Sequence, residues 1–212
     1  YNFAGLADIK KCDLNPKLAF DLNVIGNLNI LSSILKSKIK IERYVFASSL
    51  YVYSKFGGIY RCSKQASEIL IHEFCKQNKI KYTILRFGSL YGQRAGPNNT
   101  IQNLISQIMN KKIIEYWGGP NNLREFIHVN DAARACIDIL SKNFINKNCT
   151  ITGNNSIDIY KLINLIQEIT NKKVKTKFNV KADSGHYNLT PYSFVPKIGI
   201  KYIPQQTIDL GE

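Results

Sequence analysis

The sequence predicts an α/β protein with a largely parallel sheet covered by helices. Short β-type runs alternate with longer helical patterns along the chain, as parallel strands joined by helical crossovers require. Hydrophobic residues make up 44% of the 212 positions, enough for one sizeable core or two unequal lobes. Small polar residues and glycines close the strand-like runs, where the ligand-binding rim of such a sheet emerges.

Taken in order, "YNFAGL" reads as a strand running into a loop. "NPKLAFDLNVIGNLNILSSIL" reads as one helix, with Asn15 as cap and Pro16 at the first helical position. Leu18, Leu22, Ile25, Leu28 and Leu35 recur near the helical period. "RYVFASS" is a strand, and Tyr60 to about Lys79 a helix with Ile69, Leu70 and Phe74 on its buried face. "KYTILRFGSLYG" is a third strand with a glycine-bearing exit. Then come a loop at "AGPNN", a helix at "TIQNLISQIMN", and strands at "KKIIEYWGG" and "REFIHV". "NDAARACIDILSK" is a helix capped by Asn130 or Asp131, "CTITG" a strand, and "SIDIYKLINLIQEITN" an amphipathic helix. The C-terminal stretch with Pro191, Pro196 and Pro204 reads as irregular structure and short turns. With no internal repeat and no low-complexity linker, two lobes sharing an interface are expected.

Composition removes several function classes. No apolar run approaches the ~18 residues of a membrane span, and the first residues lack a signal-peptide pattern. The five cysteines (Cys12, Cys62, Cys75, Cys136, Cys149) form no CxxC pair and are odd in number, so neither a zinc cluster nor a disulfide framework is expected. A reducing cytoplasm suits them. The formal charge of +14 comes mostly from lysines scattered among Asn and Ile, which describes a solvated surface. No nucleic acid, membrane or metal is expected as a partner.

Chemistry gathers in "ASSLYVYSKFGGIYRCSKQ", residues 47–65. On a helix Tyr60 and Lys64 are four apart and share a face. A phenol is almost wholly protonated at neutral pH, and a nearby cation can lower its pKa of about 10 by ~1–3 units. A serine at the neighbouring strand end could hold a substrate hydroxyl beside that phenol. By itself the Tyr–Lys spacing also describes a half-buried tyrosine next to a solvated lysine.

The wider pattern resembles a known family. "FASSLYVYS" followed by "YRCSKQASE" is similar to the S-S-x-x-V-Y and Y-x-x-S-K-x-x-x-E signatures of the NAD-dependent epimerase/dehydratase family, the extended short-chain dehydrogenase/reductases. "FAGL", "NVIGN", "LRFGSLYG" and "REFIHVNDAARA" follow in family order across nearly the whole chain. The resemblance implies a Rossmann-like parallel sheet with helices on both faces, lacking its first strands, plus a smaller α/β substrate lobe. Residues 1–93 are expected to form the C-terminal part of the NAD-binding domain, and 94–212 mainly the substrate lobe, with about 125–153 packing back on the Rossmann part.

The resemblance further implies Tyr60 as the proton-transferring residue. Lys64 is expected to bind the nicotinamide ribose and depress the tyrosine pKa, and Ser49 to orient the sugar hydroxyl. Phe3, Ala4 and Asn23 match positions that line the cofactor, and Gly88 falls where a strand exit passes the nicotinamide. Arg124 matches an arginine that grips the substrate diphosphate, and Asn99 is a candidate phosphate contact. Residue by residue, Asn23 also reads as a loop tie and Arg124 as an ion-pair partner. The cofactor implied is NAD; the residues that would choose it over NADP are not in the sequence. A nucleotide sugar is the implied substrate, and a homodimer is common in the family.

Leu50 and Tyr51 stand where 4,6-dehydratases place an Asp-Glu pair. Leucine cannot transfer a proton, so the expected activity is a nucleotide-sugar epimerase, most simply a 4-epimerase like UDP-glucose 4-epimerase. Alternatives are a dehydrogenase, reductase or dehydratase of the same family, or a non-catalytic nucleotide-sugar-binding module. The family's pattern is altered in the short "SKFGGI" stretch, at Ser54 and at Ser89. Its glycine-rich phosphate loop and first strands are absent, and "TIDLGE" stops short of a last helix, so the sequence reads as a fragment of a longer chain.

Overall fold

The computed structural model describes residues 1–37, 39–180 and the backbone of 200–202. The N-terminal elements are α1 (Ile9–Leu14), α2 (Pro16–Phe20), a π-helical turn (Asp21–Ile25), α3 (Gly26–Ser37), β1 (Tyr44–Ser49), a 3-10 turn (Leu50–Tyr53) and α4 (Gly58–Gln77). Then follow β2 (Tyr82–Phe87), β3 (Ser89–Tyr91), α5 (Thr100–Asn110), β4 (Ile113–Tyr116), β5 (Leu123–His128) and α6 (Val129–Asp138). The remainder is β6 (Lys147–Ile151), β7 (Ser156–Asp158), α7 (Ile159–Ile169), β8 (Lys175–Phe178) and β9 (Ile200–Tyr202). Pro191, Pro196, Pro204 and "TIDLGE" lie outside the described residues.

The main sheet runs β1-β2-β6-β9, all parallel. Asn2 extends it at one edge, donating its N–H to Val45 at 2.7 Å and accepting from Ala47 at 3.0 Å. Alternation along β1 feeds two layers. Tyr44 and Phe46 pack with Leu31 of α3 and with Ile71 and Cys75 of α4. Val45 turns the other way, into a cluster with Leu85, Cys149, Ala132, Ala135 and Ile139 along α6. Helices therefore cover both faces, and the strand ends Ser49 and Phe87 open on a common rim.

A second core lies beyond Gly92. α5 contributes Ile101, Leu104 and Ile108, α7 contributes Ile159, Leu162, Ile163 and Ile166, and both cover Ile114 of β4. β4 pairs with β8, while β5 pairs parallel to β3 and antiparallel to β7.

Several sequence expectations change. The single helix expected from Asn15 is two α-helices joined through the π-helical turn, preceded by α1, which the pattern did not show. Pro16–Ser37 is nonetheless one 22-residue helical segment, long and apolar enough to cross a membrane by length and composition. Counting uninterrupted apolar residues misses it, because Lys17, Asp21 and three asparagines interrupt the run. On α4 the buried face is Tyr60, Ser63, Lys64, Ser67, Glu68, Ile71 and Cys75, and Ile69 is 66% exposed. The buried positions keep the helical period, but most are polar; of the apolar residues expected there Phe74 packs against the Ile71 and Cys75 core and Leu70 is half-buried.

The cap of α6 is His128, whose Nδ1 accepts from Asn130 N at 3.2 Å, in place of Asn130 or Asp131. β5 runs into α6 with no linker, so the strand's last residue becomes the cap. Ser156–Asp158 is a strand because Glu125, Arg124 and Leu123 offer it an edge to pair with. Asp158 then caps α7, accepting from Lys161 N at 2.7 Å.

Candidate active site

Ser49 ends β1 in an extended conformation and caps the turn that follows, its Oγ accepting from Tyr51 N at 3.3 Å. Its side chain also hydrogen-bonds the Tyr60 phenol. Tyr60 is the third residue of α4, so where that helix begins fixes where the phenol points. Gly57 and Gly58 have φ of 96° and 47°, the left-handed region that glycine enters without steric cost. A Cβ on Gly57 would strike the Tyr51 ring, and one on Gly58 the Asp13 carboxylate. Asp13, at the end of α1, accepts from Ile59 N at 2.9 Å and so satisfies an open donor of the first turn of α4. The short "SKFGGI" stretch thus folds as a tight entry held from α1. Tyr51 meets Tyr60 edge-on, with centroids 6.0 Å apart.

Lys64 lies one turn on and is 6% exposed. Its Nζ donates to Ala47 O at 2.8 Å, sits 4.8 Å from the Phe46 ring centroid and 6.0 Å from that of Tyr60. Burial pushes the Lys64 pKa down to about 8, against the smaller pull of Cys12 and Glu68 that favours its charge. Burial also pushes the Tyr60 phenol above its ordinary value, opposed by the Ser49 hydrogen bond. In the protein alone, desolvation outweighs the lowering of the Tyr60 pKa that the resemblance implied.

The other rim residues cluster nearby. Asn23, in the π-helical turn, is 1% exposed. Its amide accepts from Leu6 N at 2.7 Å and donates to Leu6 O at 3.0 Å and to Ser63 Oγ at 2.8 Å. The Asn23 carbonyl accepts from Ser67 Oγ at 2.8 Å and from the Asn27 amide. Such bonds stabilise the widened turn, a feature often found at functional sites. Asn23 therefore ties down the loop after Ala4. A Cβ on Gly5 would lie 2.6 Å from its Oδ1 and 3.6 Å from Lys64 Nζ. Phe3 is 59% exposed, stacked on Tyr1 and 6.3 Å from the Phe87 ring. Gly88 is pressed between Thr152 and Leu50, where any Cβ would collide with Thr152 Oγ1.

Asn99 and Arg124 lie further along the chain, at the start of α5 and in β5. Asn99 caps α5, accepting from Gln102 N at 3.2 Å and donating to Leu90 O at 2.7 Å, so both ends of its amide are engaged. Arg124 is buried in β5 and donates from Nη1 to Leu123 O at 2.8 Å. The sequence reading gave no role to Asp13, Glu68 or Arg86. Glu68 carried a signal, a carboxylate one turn beyond Lys64 on the same face; Asp13 carried none, since its contact with α4 is long-range.

The fold has counterparts among solved structures. A UDP-glucuronic acid 4-epimerase from Bacillus cereus, in complex with UDP-glucuronic acid and NAD, superposes with a TM-score of 0.81 at 22% identity, over 89% of this chain and 64% of that one. Among curated relatives, the UDP-glucuronate 4-epimerase of Thermodesulfobacterium geofontis is 24% identical over 84% of this chain. A putative UDP-glucose 4-epimerase of Methanocaldococcus jannaschii is 27% identical over 77% of it. The chain spans 58% of the length of each. The NAD dependent epimerase/dehydratase family model matches residues 1–151, the stretch that holds the strand-end serine, the Tyr–Lys helix and the rim around them, and the chain belongs to that family.

Proposed function

We propose that the protein is a nucleotide-sugar epimerase, most simply a 4-epimerase, acting by transient NAD-dependent oxidation of a sugar hydroxyl. The observation that carries this reading is the assembly of Ser49, Tyr60 and Lys64 at the carboxyl rim of β1, with Leu50 and Tyr51 where a dehydratase needs two carboxylates. Tyr60 takes the hydroxyl proton as general base and returns it on the way back. Ser49 holds that hydroxyl in line, and its hydrogen bond favours the phenolate. NAD, when bound, supplies the hydride acceptor. The donors present fit its ribose: Lys64 Nζ has three N–H groups and, among the described residues, donates one hydrogen bond, to Ala47 O. Asn23 keeps the Phe3–Leu6 loop open as the other wall. Arg124 is proposed to meet the substrate diphosphate, with Asn99 reaching it through the second N–H of its amide. Residues 94–212 are proposed as mainly the substrate lobe, with about 125–153 packing back on the Rossmann part, a reading that α6 and β6 on the main sheet support.

A cytoplasmic homodimer completes the reading. All five cysteines are free thiols. Leu18, Leu22, Ile25 and Leu35 are each more than two-fifths exposed along α2, the π-turn and α3, and Ile69 is exposed on the adjoining α4. That apolar surface supports self-association.

The test uses protein expressed from its complete reading frame, incubated with NAD and, in turn, UDP-glucose, UDP-N-acetylglucosamine and UDP-glucuronic acid. A 4-epimer formed without net reduction of NAD is expected. Accumulating NADH would favour a dehydrogenase, loss of water a dehydratase, and no turnover of any sugar a binding module.

A further inference from the structure

Behind Ser49 and Lys64 lies a charged network that the proton-handling residues do not use. Glu68, 6% exposed, is one turn beyond Lys64 on α4. Arg86 of β2 grips it in a two-point fork, Nε to Oε1 at 3.0 Å and Nη2 to Oε2 at 2.6 Å. Ser48, the neighbour of Ser49, donates to the same Oε1 at 2.5 Å. The third arm of the guanidinium, Nη1, donates to the Tyr53 hydroxyl at 2.6 Å, and the group lies 4.6 Å from that ring's centroid. Tyr53 in turn sits 3.4 Å from Thr150 Oγ1 of β6. One buried ion pair thereby ties together the end of β1, the turn after it, β2 and α4.

Stability is a poor reason for such a pair. Desolvating two charges costs several kcal/mol per ion, and well-packed apolar replacements are often as stable. What the fork does provide is direction, since a bidentate contact fixes angle as well as distance. We propose that Glu68, held by Arg86, is a positioning residue: it locks the end of β1 against α4, setting the spacing of Ser49 from Tyr60 and the charge environment of Lys64. Its effect on turnover rests on the epimerase reading above; its effect on Lys64 does not.

The groups facing Lys64 are the Cys12 thiol from α1, Tyr60 and Glu68 on α4, the Ala47 carbonyl and Phe46 ring from β1, and Arg86 of β2 behind Glu68. Glu68→Gln removes a carboxylate that favours the ammonium and leaves Arg86 uncompensated, and both changes push the Lys64 pKa further down. Arg86→Met leaves the Glu68 carboxylate bare, which pushes it up. Opposite shifts from the two halves of one ion pair show that both charges act on Lys64; the accompanying fall in kcat is what separates a positioning role from a purely structural one.

The test is a 13Cε NMR titration of Lys64 in the complete protein, its signal identified by its loss in Lys64→Met, together with kcat and KM for the nucleotide sugar. The two variants should shift Lys64 in opposite directions by about half a unit or more. Each should lower kcat by about tenfold or more while KM stays within about threefold, because misplacement of a reacting group acts on the chemical step. Shifts of the same sign, or an unchanged kcat in variants shown to be folded, would overturn the proposal. Should either variant fail to fold, Ser48→Ala removes the hydrogen bond to Glu68, Tyr53→Phe removes those to Arg86 and Thr150, and both keep the ion pair. Both should lower kcat about threefold or more, and full kcat in both would overturn the proposal equally. A wild type that turns over no nucleotide sugar would sink the epimerase reading, while the titration would still decide the role of Glu68.

Discussion

At the scale of single residues, burial acts on Tyr60 and Lys64 in the same sense, since each is pushed toward its neutral form. The phenol is therefore harder to ionise, and the ammonium easier to lose, than in water. Lys64 falls from 10.5 to about 8, so between those pH values the unfolded chain holds a proton that the folded one has released. Stability from this group accordingly rises with pH across the window from about 8 to about 10.5, and below it the burial penalty is constant. Urea unfolding of wild type and Lys64→Met should show their difference moving in favour of wild type by about 3 kcal/mol across that window. A flat difference would mean that Lys64 titrates normally. The Tyr–Lys pair was legible because helical spacing places residues four apart on one face. The double use of Asn23 was not, because its partners Leu6 on the N-terminal loop and Ser63 and Ser67 on α4 are remote from it in sequence.

Among elements, α4 decides the site, and its start is its weak point. Its first turn depends on two left-handed glycines and on a carboxylate from another helix. Asp13→Ala should cost about 1 kcal/mol, as loss of a side-chain cap does. Hydrogen exchange should rise at Ile59 more than in the middle of α4, and unchanged protection at Ile59 would show that the glycines suffice. A helix was legible here, as were the strands whose apolar residues run unbroken. The polar part of the buried stripe of α4 was missed because Ser63, Lys64, Ser67 and Glu68 face inward to partners that only the folded chain supplies. β7 was missed for a similar reason: a strand of three residues exists by virtue of its neighbour.

For the molecule as a whole, the α/β class followed from alternation alone, but the order of strands did not. β6 and β9 join β1 and β2 through contacts remote in sequence, which local pattern cannot encode. The apolar surface of α2 and α3 was visible as leucine periodicity, which does not by itself say whether the stripe faces a core or a partner. If it is a subunit interface, Leu22→Lys with Ile25→Lys should convert a sedimenting dimer to a monomer with the fold retained, and an unchanged mass would place the contact elsewhere. The proposed chemistry asks Ser49, Tyr60 and Lys64 at the rim of β1 to act together. The most direct measurement of that chemistry is turnover of the preferred nucleotide sugar by Tyr60→Phe beside the wild type. Removing the proton acceptor is predicted to lower kcat by about 10²–10⁴-fold with the fold and sugar binding retained; turnover equal to wild type would contradict the role of Tyr60.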